Sequence, residues 1–234
     1  MKQIQTGRDG IRVFAFAMIL AAMLLVFAAP GAMAADEEDA QGIVDKARVA
    51  FGGFMRDDNY SWMRDHLKDA KGVLIYPQVL KAGFILGGSG GTGVLLSRDG
   101  KTGEWGNPAF YTMGSVSFGL QIGGESAEVV LLVMSQKGMD SLLASNFKLG
   151  GDASVALGPV GGGAKADVTT DFLSFSKSQG LYAGINLDGS YISVRDSLNK
   201  AYYGRDVSPV EITVKQSVSN KGAVPLREEL KKAK

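Results

Sequence analysis

The chain has 234 residues, 45% of them hydrophobic, with 25 Lys and Arg against 24 Asp and Glu. It holds no cysteine, one histidine and 32 glycines, about twice the glycine expected at an ordinary frequency of roughly 7%. The missing thiols exclude a disulfide scaffold, a thiolate zinc site, an iron–sulfur cluster, a cysteine nucleophile and a lipidated N-terminal cysteine, while near-zero charge argues against nucleic-acid binding.

Lys2, Arg8 and Arg12 precede an uncharged run from Val13 to Ala29, followed by Pro30-Gly31-Ala32-Met33-Ala34. A basic flank, an apolar run and an Ala-x-Ala site predict a secretory signal peptide over residues 1–34. The run is shorter than the ~20 residues of a comfortable membrane span. The protein is therefore expected to be exported, periplasmic or secreted, and peripheral at a membrane.

Residues 35–70 read as a helical flank. Ile43, Ala47, Ala50, Phe51 and Phe54 recur at three- and four-residue steps. Gly52-Gly53 and Asp57-Asp58-Asn59 are expected to weaken or break this helix. Ser61 is expected to cap a second, short one carrying Trp62, Met63, His66, Leu67 and Ala70. Lys71-Gly72 closes it with a cation and a glycine exit.

After Gly72 runs of strand length take over. They cover 73–76 (ended by Pro77), 82–86, 93–97, 109–121, 127–135, 152–157, 165–171, 172–176, 180–187 and 191–194, with Gly, Asp, Asn and Ser between them. Asp99-Gly100 and Asp188-Gly189 are hairpin signals. Short helices are expected over 138–146 and 197–203, a strand over 210–214, and a charged, frayed helix from Pro225 to Lys234.

No strand–helix alternation supports a doubly wound sheet. The pattern predicts an α+β fold, mainly antiparallel, with a glycine-rich curved or barrel-like sheet, N-terminal helices and short capping helices. Glycines inside strands mark bends, bulges and close backbone approach. The β-rich domain is placed at 71–214, and 215–234 form a charged tail.

Three apparent motifs dissolve on inspection. Gly88-Ser89-Gly90-Gly91-Thr92-Gly93 fits the dinucleotide fingerprint, yet the residues after it, Val94 to Ser97, read as a strand instead of the required helix. Gly100-Lys101-Thr102 lacks the first glycine of a phosphate loop, because position 95 is Leu95. His66 stands alone, so it cannot form a multi-histidine metal site, and a Ser-His-Asp triad would have to use it. No cofactor, nucleotide or metal is expected. Paired acids such as Asp57-Asp58 fall beside turn residues, so carboxylate hydrolysis is the weakest of the functional readings.

From about Lys68 to Gly204 the order of motifs resembles the SYLF domain family. The carrying residues are Ala70-Lys71-Gly72-Val73-Leu74-Ile75-Tyr76-Pro77, Lys81-Ala82-Gly83-Phe84-Ile85-Leu86-Gly87-Gly88, Trp105-Gly106-Asn107-Pro108-Ala109-Phe110 and Gln121-Ile122-Gly123-Gly124. Leu149-Gly150-Gly151-Asp152, Gly158-Pro159-Val160-Gly161, Gly180-Leu181-Tyr182-Ala183-Gly184 and Asn199-Lys200-Ala201-Tyr202-Tyr203-Gly204 follow. Gly106 departs from the serine of many relatives.

The resemblance, to the bacterial secreted branch, implies a non-catalytic module of the bacterial cell envelope that binds membrane phospholipid, anionic as a class, through its folded surface or a sheet cavity. In relatives an amphipathic N-terminal helix and nearby cations contribute. The matching candidates here are Lys46, Arg48, Phe51, Phe54, Trp62, Lys71 and Lys81. The apolar ones among them have an equally physical alternative, docking the helix on the sheet. The competing function is a structural or stress-related envelope protein acting through protein partners, whose identity the sequence leaves open.

Overall fold

The computed structural model describes residues 37–83, 86–118, 123–161, 169–178 and 187–233. The expected leader, most of the strands expected over 165–171 and 180–187, and parts of those over 82–86 and 109–121 lie outside the described residues.

Helix α1 (Glu37–Arg56) opens with Glu37, Glu38 and Asp39 and closes on Arg56, which places opposite charges at the two ends of its dipole. Ala40, Val44, Ala47, Phe51 and Phe54 form its buried stripe. The helix runs through Gly52-Gly53 without a break. Gly52 is a packing position: a Cβ there would stand 3.0 Å from both Arg56 Nη1 and Glu229 Oε1. Asp57 caps the following 3-10 turn by accepting from the Asn59 N–H at 3.1 Å. In α2 (Ser61–His66) Ser61 is the first helical residue and Tyr60 occupies the cap without a side-chain bond, which corrects the expected Ser61 cap.

Eight strands follow: β1 (Gly72–Gly83), β2 (Leu86–Ser97), β3 (Ala109–Phe118), β4 (Gly123–Val133), β5 (Asn146–Lys148), β6 (Val155–Leu157), β7 (Phe172–Ser178) and β8 (Tyr191–Val194). They form one curled sheet in the order β5-β8-β3-β2-β1-β4-β7-β6, antiparallel except for β6 beside β7. The four long strands lie in the spatial order β4-β1-β2-β3, a Greek key. The α+β, mainly antiparallel expectation holds.

Pro77 does not end β1. The register slips between Ile75 and Val79 against β2 and between Tyr76 and Val79 against β4, so Pro77 sits in a bulge, where its missing N–H breaks no ladder. Gly91 and Gly93 on β2 receive this bulge. A Cβ on Gly91 would lie 2.4 Å from Gln78 O, and one on Gly93 would lie 2.3 Å from Ile75 O and 2.6 Å from the Tyr76 ring.

Both faces of the sheet are covered at one end. Val73 and Ile75 point into the core beneath α1, and Leu74 and Tyr76 into a second core on the other side. Onto that second side pack α3 (Gln136–Leu143) and the 205–214 segment, through Met139, Leu142, Val207 and Ile212. Ser135 caps α3, accepting from the Gly138 N–H at 2.9 Å.

Asp171 ties this region together. Its Oδ1 accepts from the Ser135 hydroxyl, its Oδ2 from the Ser154 N–H at 2.8 Å and hydroxyl at 2.9 Å, and Lys137 Nζ stands 3.6 Å away. Burial pushes the carboxyl upward, and the hydrogen bonds from Ser135 and Ser154, with the Lys137 charge, more than reverse it, leaving the pKa below the usual range.

Two C-terminal expectations are corrected. Val210–Val214 is a π-helical turn, with Lys215 N–H donating to Val210 O at 2.9 Å. Its alternating β-branched residues mimic a strand, but Ile212 is drawn into the second core and Ser97 Oγ donates to Thr213 O at 2.8 Å. After α4 (Asp196–Tyr203), which ends on left-handed Gly204, the tail forms α5 (Val224–Lys232). Far from fraying, α5 buries Leu226 and Leu230 against the α1 core, and Arg227 Nε donates to Trp105 O at 2.7 Å.

Candidate functional site

The residues singled out from the sequence are scattered by the fold. Phe51 and Phe54 are fully buried, with Phe54 edge-on to Tyr60 at 4.7 Å, so they dock α1 on the sheet. Lys46 and Lys71 are exposed. Arg48 is half-buried, and its Nε lies inside without a hydrogen-bond partner. Trp62 is half-buried and stacks on His66 at 3.8 Å between ring centroids. The His66 Nδ1–H donates to Trp62 O at 2.9 Å, and this local contact accounts for the single histidine.

The C-terminal end of α1 is held down by charge. Lys177 on β7 pairs with Asp57 at 3.0 Å, and Glu128 lies opposite Lys177 in the β4–β7 register. The hydrogen bond from Lys177, then that from the Asn59 N–H, hold the Asp57 carboxyl below its usual range. Burial raises that of Glu128, partly offset by Lys177. Tyr60 donates its hydroxyl to Ser176 O at 2.7 Å beside them.

The glycine run 88–93 lies wholly inside β2 and continues as strand to Ser97, so no helix N-terminus follows it to meet a pyrophosphate. Among the described residues no three acidic or histidine side chains converge on a metal-sized site, and no helix is long and apolar enough to cross a membrane.

Beyond the bulge the described residues of the sheet include exposed apolar side chains. Side chains alternate across the strands, so the α1 side of this half carries Leu80 and Ala82 of β1, Gly88 and Gly90 of β2, Gly114 and Val116 of β3 and Gly124 of β4. Leu80 is 56% exposed and Val116 76%. Within 4 Å, a Cβ placed on Gly90 or Gly114 would meet only a backbone oxygen among the described residues, at 3.6 and 3.9 Å. Lys81 belongs to the opposite side, sharing the face of Val79, with Glu125 directly across from it.

Leu80 and Val116 were not singled out from the sequence. The signal was present as glycine at every second position, 88 and 90, with 114 two before Val116, which a period-two reading assigns to one face.

Comparison with known proteins gives the chain its kin. The family model described as "Ysc84: Las17-binding protein actin regulator" matches residues 114–233. An SH3 domain-containing protein of Schizosaccharomyces pombe is 33% identical over 167 residues, which are 68% of this chain and 38% of that protein. Protein YSC84 of Saccharomyces cerevisiae is 36% identical over 145 residues, 59% of this chain and 31% of that protein. The SH3 domain-containing YSC84-like protein 1 of Mus musculus is 32% identical over 150 residues, 61% of this chain and 43% of that protein. The chain thus spans less than half the length of these relatives. No solved structure matches it significantly.

These kin overturn the expected location. The export, periplasmic or secreted placement was drawn from residues 1–34 alone, whereas the matched proteins are eukaryotic SH3 domain-containing and YSC84-type proteins of yeasts and a mammal. The bacterial-envelope setting is withdrawn with it.

Proposed function

The chain belongs to the Ysc84 family, which is the SYLF family, and from that premise we propose that it is a non-catalytic module binding anionic phospholipid through its folded surface. The observation that carries this reading is the half of the sheet beyond the bulge, where Leu80 and Val116 are exposed on the face that carries Gly88, Gly90 and Gly114. Apolar side chains that no packing explains mark contact surfaces. Fully burying a side chain of this size is worth about 1.5–3 kcal/mol, so the exposed parts of these two would supply roughly 1–2 kcal/mol each on entering an interface. Lys46 is exposed on α1, and Lys71, also exposed, stands at the far end of β1 from Leu80, more than a Debye length of about 8–10 Å away, so neither is counted in this contact.

The second reading, action through a protein partner, is favoured by the relatives' names, which speak of Las17 binding and SH3 domains. Flotation of the full chain with neutral and with anionic vesicles separates the two. Retention on anionic vesicles that weakens with salt supports lipid binding, and absence of the protein from both vesicle fractions at low salt refutes it.

A further inference from the structure

The two sides of the open sheet half differ in kind. Strand registers align Lys148 of β5, Tyr191 of β8, Gly114, Gly90, Leu80 and Ser126 of β4 in one row across six strands on the α1 side. Val116, Gly88, Ala82 and Gly124 form the next row. Tyr191 is 53% exposed, and Lys148 Nζ lies over its ring at 5.7 Å from the centroid. From Tyr191 to Leu80 is three strand spacings, about 14 Å, with only glycine between. Neither row contains an acid. Asp152, near Lys148 in sequence, accepts from the Lys148 backbone N–H at 2.8 Å.

The reverse side carries Glu125, Lys81, Ser89 and Ser115 in a single row, with Ser89 Oγ and Ser115 Oγ bonded at 2.7 Å. One side is therefore apolar with a cation at its margin, and the other is polar and of mixed charge.

We propose that the α1 side of the open half, and not its reverse, lies against an anionic phospholipid bilayer, with Tyr191, Leu80 and Val116 entering the interface and Lys148 meeting headgroup phosphate. This rests on the lipid-binding reading and adds to it the face, the residues and the orientation. The occupant follows from the chemistry of the face. A cation without an acid in its rows selects an anionic surface. A tyrosine with an apolar body and a polar tip settles at headgroup level. A floor without side chains, spread over several strands, matches a broad surface better than a small ligand, which requires a concave pocket.

The cysteine-free chain allows a direct test. Single cysteines replace Val116, Ser115 and Val49, the last exposed on α1, and each carries an environment-sensitive fluorophore. Val116 and Ser115 are neighbours on opposite faces. With vesicles of equal parts phosphatidylcholine and phosphatidylserine, the dye at 116 shifts to the blue and those at 115 and 49 do not. In unlabelled protein Tyr191→Ser and Leu80→Ser each lower the partition coefficient about tenfold. Lys148→Gln lowers it about fivefold and flattens its salt dependence.

If the chain binds these vesicles but only the dye at 115 or 49 responds, or Tyr191→Ser partitions as well as wild type, the face is wrong while lipid binding stands. If the unmodified chain binds no vesicle, lipid binding fails and the face with it. A response at 116 to protein concentration, without vesicles, overturns the proposal in favour of a protein contact.

Discussion

Asp171→Asn isolates a carboxylate that ties three segments of the fold together. The aspartate receives three hydrogen bonds, from the Ser135 hydroxyl and from the Ser154 N–H and hydroxyl, and so joins the cap of α3 to β6 and β7. Asparagine keeps one acceptor oxygen and presents an N–H2 group where the second acceptor stood, leaving either Ser135 or Ser154 facing a donor. Hydrogen bonds to a charged group are worth about 1.5–3 kcal/mol each, so losing one or two costs about 2–4 kcal/mol. At roughly 2–4 °C per kcal/mol for a domain of this size, Tm falls by about 4–16 °C. The pH dependence is fixed in sign. The folded pKa is depressed, so the stabilisation is fully present above the unfolded pKa near ~3.9 and is lost as pH falls through the folded value. Urea titrations of both proteins from neutral pH downward should show a gap that is constant to about pH 4 and closes below it. A gap under about 0.5 kcal/mol at neutral pH, or one that widens in acid, would refute the reasoning.

Other substitutions test the packing directly. Gly93→Ala sets a Cβ against Ile75 O and the Tyr76 ring and should cost about 1–3 kcal/mol, whereas Gly114→Ala, with 3.9 Å to its nearest neighbour, should be within ~0.5 kcal/mol of wild type in chemical denaturation. Leu226→Ala should destabilise by about 2–5 kcal/mol in the same assay, and a neutral result would restore the frayed tail. Lys177→Met should raise the titration midpoint of Asp57, followed by carboxyl NMR, at a stability cost of about 1 kcal/mol or less, because the pair is partly exposed. An unmoved midpoint would show that Lys177 does not set it.

The parts of the fold that were readable from sequence are those governed by local rules. Tyr191–Val194 appears as a strand and 197–203 as a helix because their patterns act within a few residues, whereas Gly72, expected as a helix exit, is the first residue of β1. The errors arise where distant contacts decide. Pro77 looks terminal until two neighbouring strands accommodate its bulge, and Gly52 looks like a breaker until α5 presses against it. Val210–Val214 has the alternation of a strand, and burial of Ile212 makes it a helical turn.

Among the residues the sequence offered for membrane contact, the two phenylalanines of α1 are buried. Phe51 and Phe54 obey the amphipathic pattern, but that pattern describes a helix seated on a sheet as well as one seated on a membrane. Leu80, Val116 and Tyr191 lie far apart in sequence, and only strand register brings them to one face.

The central claim is that the folded chain binds anionic phospholipid. Its most direct test is equilibrium partitioning of the full chain onto vesicles whose anionic lipid content is raised stepwise from zero, at two salt concentrations. The expected result is a partition coefficient that climbs with anionic content and falls with salt. Partitioning that stays at background across the whole series would contradict it.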